Sequence, residues 1–244
     1  MSGGDDTNSS HLGDEPRRSR STESFYGRRK GPPLHGRKAQ FMDELLPQLA
    51  LDLSKPAPAD LSGLFLHTPT IIKMEIGFGG GEHLAGQAKA EPNTGFVGIE
   101  PFVNGMAKML GQITDHDLQN VRLHDDDAVQ VLDWLPDECL DRVDLLYPDP
   151  WPKVRHWKRR FVGQANLERI HRVLKPGGMF RFASDIDTYV NWTLQHVHRH
   201  GKLQWLAETA SDWNDPWDGW TRTRYEAKAV REGRVPCYLR FVKT

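Results

Sequence analysis

From residue 71 onward, short apolar runs typical of strands alternate with longer amphipathic stretches typical of helices. The predicted strands are 71–76, 95–100, 120–125, 142–147 and 178–184, with a last pair of strands at 203–209 and 237–242. The predicted helices are 41–53, 81–90, 102–113, 128–135, 159–174 and 187–200. Strands that alternate with helices in this way predict an α/β fold, a mostly parallel sheet with helices on both faces.

The first 38 residues lack this pattern and predict a disordered N-terminal arm, 1–38, ahead of a single domain, 39–244. The arm begins acidic and then becomes basic, with Arg28 and Arg29 close to the aromatic pair Phe25 and Tyr26. Such a segment is either a solubilising tail or an arm that folds onto RNA, and the sequence leaves both open.

Composition argues against several classes of protein, among them disulfide-rich, zinc-binding and membrane proteins. The formal net charge is −1, so any nucleic-acid surface must come from local asymmetry of charge. The two cysteines lie far apart, which disfavours a disulfide framework or a zinc site. His196, His198 and His200 alternate by two and cannot converge on one metal from a helix, so no metal is expected. With no apolar run of about 20 residues and no signal-peptide pattern, we expect a cytoplasmic protein.

The stretch "EIGFGGGEHL", 75–84, predicts a strand, a glycine loop and the start of a helix, where Gly77 and Gly79 let the backbone approach a ligand. The third glycine of a dinucleotide fingerprint is replaced by Glu82, which disfavours a nicotinamide or flavin site.

Acidic residues follow or end four successive predicted strands. These are Glu75, Glu100, the run 125–127 and Asp149. The carboxyl ends of parallel strands share one edge of a sheet, so these carboxylates should line one rim. The rim would repel a phosphate but suit a cationic ligand with ribose hydroxyls, such as S-adenosylmethionine. Asp127 is the favoured residue of its run, although Asp126 stays open.

The stretch "YPDPWPKVRHWKRRF", 147–161, joins one carboxylate to a dense basic segment. Pro148 and Pro150 restrict the backbone around Asp149 and hold it outside any helix or strand. The cations that follow, Lys153 and Arg155 among them, would neutralise phosphates of an RNA substrate.

Together with "GIEPF", "FASDIDTY" and "TRTRYEAKAVREG", these motifs resemble the tRNA (guanine-N7-)-methyltransferases of bacterial type, from about residue 71 to the C-terminus. The resemblance implies a Rossmann-like class I methyltransferase fold and methyl transfer from S-adenosylmethionine to guanine N7 in the variable loop of tRNA, forming 7-methylguanosine. It implies cofactor contacts at Glu75, Glu100, Asp127 and Asp149. It implies substrate contacts at Lys153, Asp185, Thr223, Arg224, Tyr225 and Glu226.

Two positions depart from the family pattern, because Arg224 and Tyr225 stand where relatives commonly have Lys and Phe. Asp149 is the candidate catalytic residue, acting either chemically or by positioning. Asp149, Asp185 and Glu226 are candidates to read the N1–H and N2–H donors of guanine, because ionised carboxylates only accept hydrogen bonds.

Three other functions remain possible at this stage. A methyltransferase of the same fold could act on another RNA, a protein or a small molecule, but it would not need the basic segment. A nucleic-acid-binding protein without catalysis would not need the acidic rim, and a nicotinamide oxidoreductase is disfavoured by Glu82. The oligomeric state, monomer or homodimer, is left open.

Overall fold

The computed structural model describes residues 26–244, so the first 25 residues of the predicted arm lie outside the described part. One seven-stranded sheet organises the chain in the strand order β3-β2-β1-β4-β5-β7-β6. Its strands are β1 Ile71–Ile76, β2 Thr94–Ile99, β3 Val121–His124, β4 Leu140–Leu146, β5 Leu174–Ser184, β6 Leu203–Trp205 and β7 Cys237–Lys243. The first five strands pair in parallel, whereas β7 runs antiparallel to both β5 and β6.

Helices connect these strands. The helices are α1 Arg37–Gln40, α2 Leu46–Leu49, α3 Glu82–Ala90, α4 Val103–His116, α5 Ala128–Trp134, α6 Gln164–Val173, α7 Asp187–His200, α8 Ser211–Asn214 and α9 Arg224–Arg231. A π-helical turn, Phe41–Leu45, joins α1 to α2, and two 3₁₀ helices lie at Leu61–Leu64 and Val154–Arg159. Within residues 26–244 no helix combines the length and apolar character needed to cross a membrane.

The hydrophobic core lies on both faces of the sheet. Phe96 and Val97 are consecutive on β2 and therefore point to opposite faces. Phe96 packs in a cluster with residues of α3 and α4, and Val97 in a larger cluster with residues of α5, α6 and α7. Burial on both faces explains why β2 is a continuous run of buried residues.

The predicted fold class is confirmed, including the antiparallel strand pair at the C-terminus. The element boundaries differ most at four places. The predicted helix 159–174 begins only at Gln164, because Arg160 and Gly163 have extended backbones and the basic segment before them is a 3₁₀ helix. The strand predicted from residue 178 begins at Leu174, and the strand predicted over 203–209 ends at Trp205. The helical segment predicted at 41–53 runs from residue 37 to 49.

Candidate active site

A cavity of about 600 Å³ opens at the carboxyl ends of the parallel strands. This is the position where open α/β sheets bind ligands, and the volume falls within the roughly 300–1,000 Å³ of small-molecule sites. Six of the residues predicted from sequence line it: Gly77, Gly79, Glu100, Asp127, Asp149 and Tyr225.

The glycine loop after β1 needs glycine for its backbone. Gly77, Gly79 and Gly81 have φ angles of 70°, 60° and 80°, in the left-handed region that other residues rarely adopt. Helix α4 packs directly against this loop through Gly105, where an added Cβ would lie 2.2 Å from the Gly79 carbonyl oxygen. Sequence reasoning missed Gly105, although a glycine inside a predicted helix is a known sign of close packing.

Glu100 is a buried carboxylate at the end of β2. Its Oε2 accepts a hydrogen bond from the Gly79 N–H at 2.6 Å, and its Oε1 accepts one from the Phe102 N–H at 2.8 Å. Burial raises the pKa of Glu100 to about 6, although these two hydrogen bonds and the nearby Arg224 act in the opposite direction. Two backbone hydrogen bonds therefore fix the side chain in place.

Asp127 and Asp126 face different surroundings. Asp127 lines the cavity and caps α5, because its Oδ1 accepts a hydrogen bond from the Val129 N–H at 3.0 Å. Asp126 instead pairs with Arg29 of the arm at 2.5 Å. The geometry thus places Asp127, of the two residues, at the cavity.

Glu75 lies behind the cavity rather than on its wall. It is buried, and its Oε2 is 2.7 Å from Nδ1 of His83, whose ring packs against Trp220 with centroids 5.0 Å apart. Asp144 joins the same cluster, with ligand atoms of Glu75, His83 and Asp144 all within 4.8 Å of one another.

This cluster is built as an ion-pair network. Arg181 donates two hydrogen bonds to Asp144, at 2.6 and 2.7 Å, and Arg142 donates a third at 3.0 Å. Those two guanidinium groups hold the pKa of Asp144 well below its usual range, against the effect of its burial. Two cations already satisfy Asp144, so the cluster has little to offer a metal ion.

The turn that carries Asp149 is bracketed by strained residues. Tyr147 and Trp151 have φ angles of 50° and 45°, and neither is glycine. Such conformations cost on the order of 1–3 kcal/mol each and persist where surrounding contacts enforce them, often at functional sites. Asp149 itself is exposed at the cavity mouth, yet the protein atoms around it displace part of its water and raise the pKa of its carboxyl.

The basic segment divides between two surroundings. Lys153 and Arg155 are exposed and lie outside the cavity lining, whereas Lys158 and Arg159 line its mouth. The Arg159 guanidinium lies over the Trp151 ring at 5.0 Å. Arg160 is buried, a position that the reading of this segment as an RNA-contacting surface did not anticipate.

The remaining predicted substrate residues lie on the C-terminal part of the chain. Asp185 pairs with Arg234 at 2.5 Å, and Thr223 caps α9 by accepting a hydrogen bond from the Glu226 N–H. Arg224 donates a hydrogen bond to the Tyr225 hydroxyl at 3.0 Å, and of these two residues Tyr225 lines the cavity.

Glu226 is buried and already has two side-chain donors. Trp220 donates to its Oε2 at 2.7 Å and Tyr238 to its Oε1 at 2.8 Å. Trp220 therefore contacts both Glu226 and His83, the partner of Glu75. A single tryptophan thus links two predicted functional carboxylates, which sequence reasoning did not foresee.

Residues 26–38 of the predicted arm lie against the domain beside the cavity. The Arg29 carbonyl accepts a hydrogen bond from the Val103 N–H at 3.0 Å, and the Pro32 carbonyl accepts one from the Asn104 side chain at 2.9 Å. Tyr26 and Arg28 line the cavity itself. The described part of the arm therefore contributes to the wall of the site.

Comparison with known proteins agrees with this geometry. A family model described as "Putative methyltransferase" matches residues 69–238. The chain is 61% identical to a tRNA (guanine-N(7)-)-methyltransferase of Rhizobium meliloti, over 93% of this chain and 98% of that protein. It is 58% identical to one of Agrobacterium fabrum, over 94% and 99%, and 56% identical to one of Brucella melitensis, also over 94% and 99%.

Solved structures share the fold at much lower identity. The 16S rRNA methyltransferase KamB superposes with a TM-score of 0.50 at 14% identity, covering 72% of this chain and 89% of that one. This likeness supports the Rossmann-like fold alone.

Proposed function

The chain belongs to the tRNA (guanine-N(7)-)-methyltransferase family, and from that premise we propose how its site transfers a methyl group from S-adenosylmethionine to N7 of a guanine in tRNA. The observation that carries the proposal is the carboxylate-lined cavity, with the strained Asp149 turn and the basic segment at its mouth. By family resemblance the target is the guanine of the variable loop and the product is 7-methylguanosine. Because the proposed substrate is tRNA, we also propose that the reaction takes place in the cytoplasm.

The cavity fits the cofactor because it combines acceptors with a glycine loop. Glu100 and Asp127 both line the cavity and are fixed by backbone hydrogen bonds. We assign Glu100 to the ribose hydroxyls, because it ends β2 about 20 residues past the glycine loop. Gly77 and Gly79 provide close backbone approach, and Glu75 supports the site from behind through His83.

When bound, S-adenosylmethionine supplies a methyl group on a positively charged sulfur; the carbon–sulfur bond breaks as the N7–carbon bond forms, and the positive charge passes to the purine. Guanine N7 has a lone pair and no proton to lose, so the reaction requires no general base. The protein contributes alignment and electrostatics. We propose that Asp149 positions the base and stabilises the charge that develops on it.

We propose that carboxylates beside the Asp149 turn recognise guanine. Half-buried Asp185 would accept hydrogen bonds from the donor edge of the base, whereas buried Glu226, already bound by Trp220 and Tyr238, would hold the Thr223–Glu226 segment in place beside it. Lys153 and Arg155 are exposed beside the mouth, where they would bind phosphates of the tRNA.

The test is nucleoside mass spectrometry of unmodified tRNA incubated with the protein and S-adenosylmethionine. Wild-type protein should form 7-methylguanosine, and Asp149→Ala and Asp149→Asn should lose at least about 100-fold in rate, the scale of a lost alignment or charge contact. Asp117→Asn is the matched control, since this exposed residue ends α4 in the left-handed region, which asparagine also adopts.

Each result has a distinct meaning. Equal product from the wild type and both Asp149 variants would keep the reaction but remove Asp149 from its centre. Measurable cofactor binding without product on any tRNA would favour a methyltransferase of this fold with another acceptor.

A further inference from the structure

Arg160 is the one residue of the basic segment 153–160 whose side chain is buried, with 5% of its surface exposed. Its neighbours in the segment are exposed or half-buried, as expected of residues that bind phosphates. A buried guanidinium loses water and must recover its hydrogen bonds from protein atoms. Its partners therefore show what it does.

Those partners join two separate parts of the site. Nε donates to the Pro150 carbonyl at 2.9 Å, Nη1 to the Thr188 carbonyl at 2.8 Å, and Nη2 to the Thr188 hydroxyl at 3.0 Å. Pro150 directly follows Asp149, and Thr188 lies in the first turn of α7, three residues after Asp185. One planar fork thus connects the turn of the candidate catalytic residue to the helix beside a candidate base reader.

Three aromatic rings surround the Arg160 guanidinium and restrict its orientation. The guanidinium carbon lies 4.5 Å from the ring centre of Trp157, 4.8 Å from that of Tyr189 and 5.5 Å from that of Trp192. Cation–π contacts of this kind strengthen when they are shielded from water. The acceptors are backbone carbonyls and a hydroxyl rather than carboxylates, so the site uses the directionality of arginine more than its charge.

The turn needs such a restraint. Tyr147 and Trp151 both hold left-handed backbone conformations, which relax unless other contacts enforce them. The Arg160–Pro150 hydrogen bond holds the residue between Asp149 and Trp151. We propose that Arg160 is a positioning residue that clamps the Asp149 turn to the start of α7, and not an RNA contact; this rests on the function proposed above.

The test separates catalysis from binding by steady-state kinetics on tRNA at several salt concentrations. Arg160→Lys keeps the charge but cannot reach both Pro150 and Thr188 with a fixed fork, and we expect kcat to fall about 10- to 100-fold. The KM for tRNA and the slope of log KM against log salt should stay within about twofold of wild type. Arg155→Gln is the RNA-contact comparator, with a raised KM and a smaller salt slope.

Two further controls keep the result interpretable. Arg199→Lys makes the same change at an exposed position on α7 and should behave as wild type. Thr188→Val removes the hydroxyl acceptor without changing the shape of the side chain, and should lower kcat about two- to fivefold, whereas Thr188→Ser should restore it. The Thr188 pair gives a second reading if Arg160→Lys fails to fold.

Three outcomes would overturn the assignment. The first is an unchanged kcat in Arg160→Lys, and the second is a raised KM with a smaller salt slope, as for Arg155→Gln. The third is an equal loss of melting temperature and of cofactor binding in Arg160→Lys and Thr188→Val, which would mean a purely structural role. Formation of 7-methylguanosine by wild-type protein in the same assay tests the proposed function independently of all three.

Discussion

The affinity for S-adenosylmethionine should depend on pH through Glu100. Burial raises the pKa of this carboxyl to about 6, from 4.5 in an exposed glutamate. A carboxyl with a pKa of about 6 is about 9% ionised at pH 5 and about 91% ionised at pH 7. Ribose hydroxyls bind an ionised carboxylate more strongly than a protonated one, so the binding-competent fraction rises with pH.

The expected magnitude follows from those fractions. The apparent Kd scales inversely with the competent fraction, so it should fall about tenfold between pH 5 and pH 7. The α-amino group of the ligand stays charged over this range, since its ordinary pKa is about 7.7–8.0. The change in affinity should therefore come from the protein.

Isothermal titration calorimetry with S-adenosylmethionine at half-unit steps of pH measures this directly. Glu100→Gln should bind more weakly at pH 7 and show a flat profile, because the amide does not titrate. Asp149→Asn should keep the pH dependence but move its midpoint slightly to lower pH, because the Asp149 charge contributes to the raised pKa of Glu100. A flat wild-type profile, or a slope that survives in Glu100→Gln, would refute the assignment of the titration to Glu100.

Three other variants test the geometry of the site. Gly105→Ala should weaken cofactor affinity at least about tenfold, because the added Cβ displaces the glycine loop. Gly111→Ala is the control: its added Cβ would lie 3.7 Å from the nearest atom, so the affinity measured by calorimetry should not change. Trp220→Phe keeps an aromatic ring but removes the hydrogen bond to Glu226. Losing a hydrogen bond to a charged group costs about 1.5–3 kcal/mol, so kcat/KM for tRNA should fall at least about tenfold. The affinity for the cofactor should not change. Asp144→Asn leaves buried Arg181 and half-buried Arg142 short of a counter-charge and should lower the free energy of unfolding by about 3–5 kcal/mol in urea titrations; a loss under 1 kcal/mol would contradict the network.

Much of the fold could be predicted from the chain because it depends on local patterns. The apolar runs of β1 and β2 indicate strands that are buried on both faces, and the amphipathic stretch of α7 indicates a helix that is buried on one face. These two patterns together are enough to predict a parallel sheet covered by helices. The rule that ligands bind at the carboxyl ends of strands then placed Glu100 and Asp149 at one rim. Element ends were less certain, since extended backbone at Arg160 and Gly163 interrupts a stretch that looks helical by composition.

The surroundings of individual charged residues were decided only by the tertiary structure. Glu75 is the penultimate residue of β1 and Glu100 directly follows β2, both beside apolar residues, yet Glu75 pairs with His83 behind the cavity whereas Glu100 lines it. Arg159 and Arg160 are adjacent and chemically identical, but one faces the cavity and the other joins Pro150 to Thr188. Periodicity reflects how each residue relates to its sequence neighbours, whereas the pKa and partners of a side chain depend on atoms brought to it from distant parts of the chain.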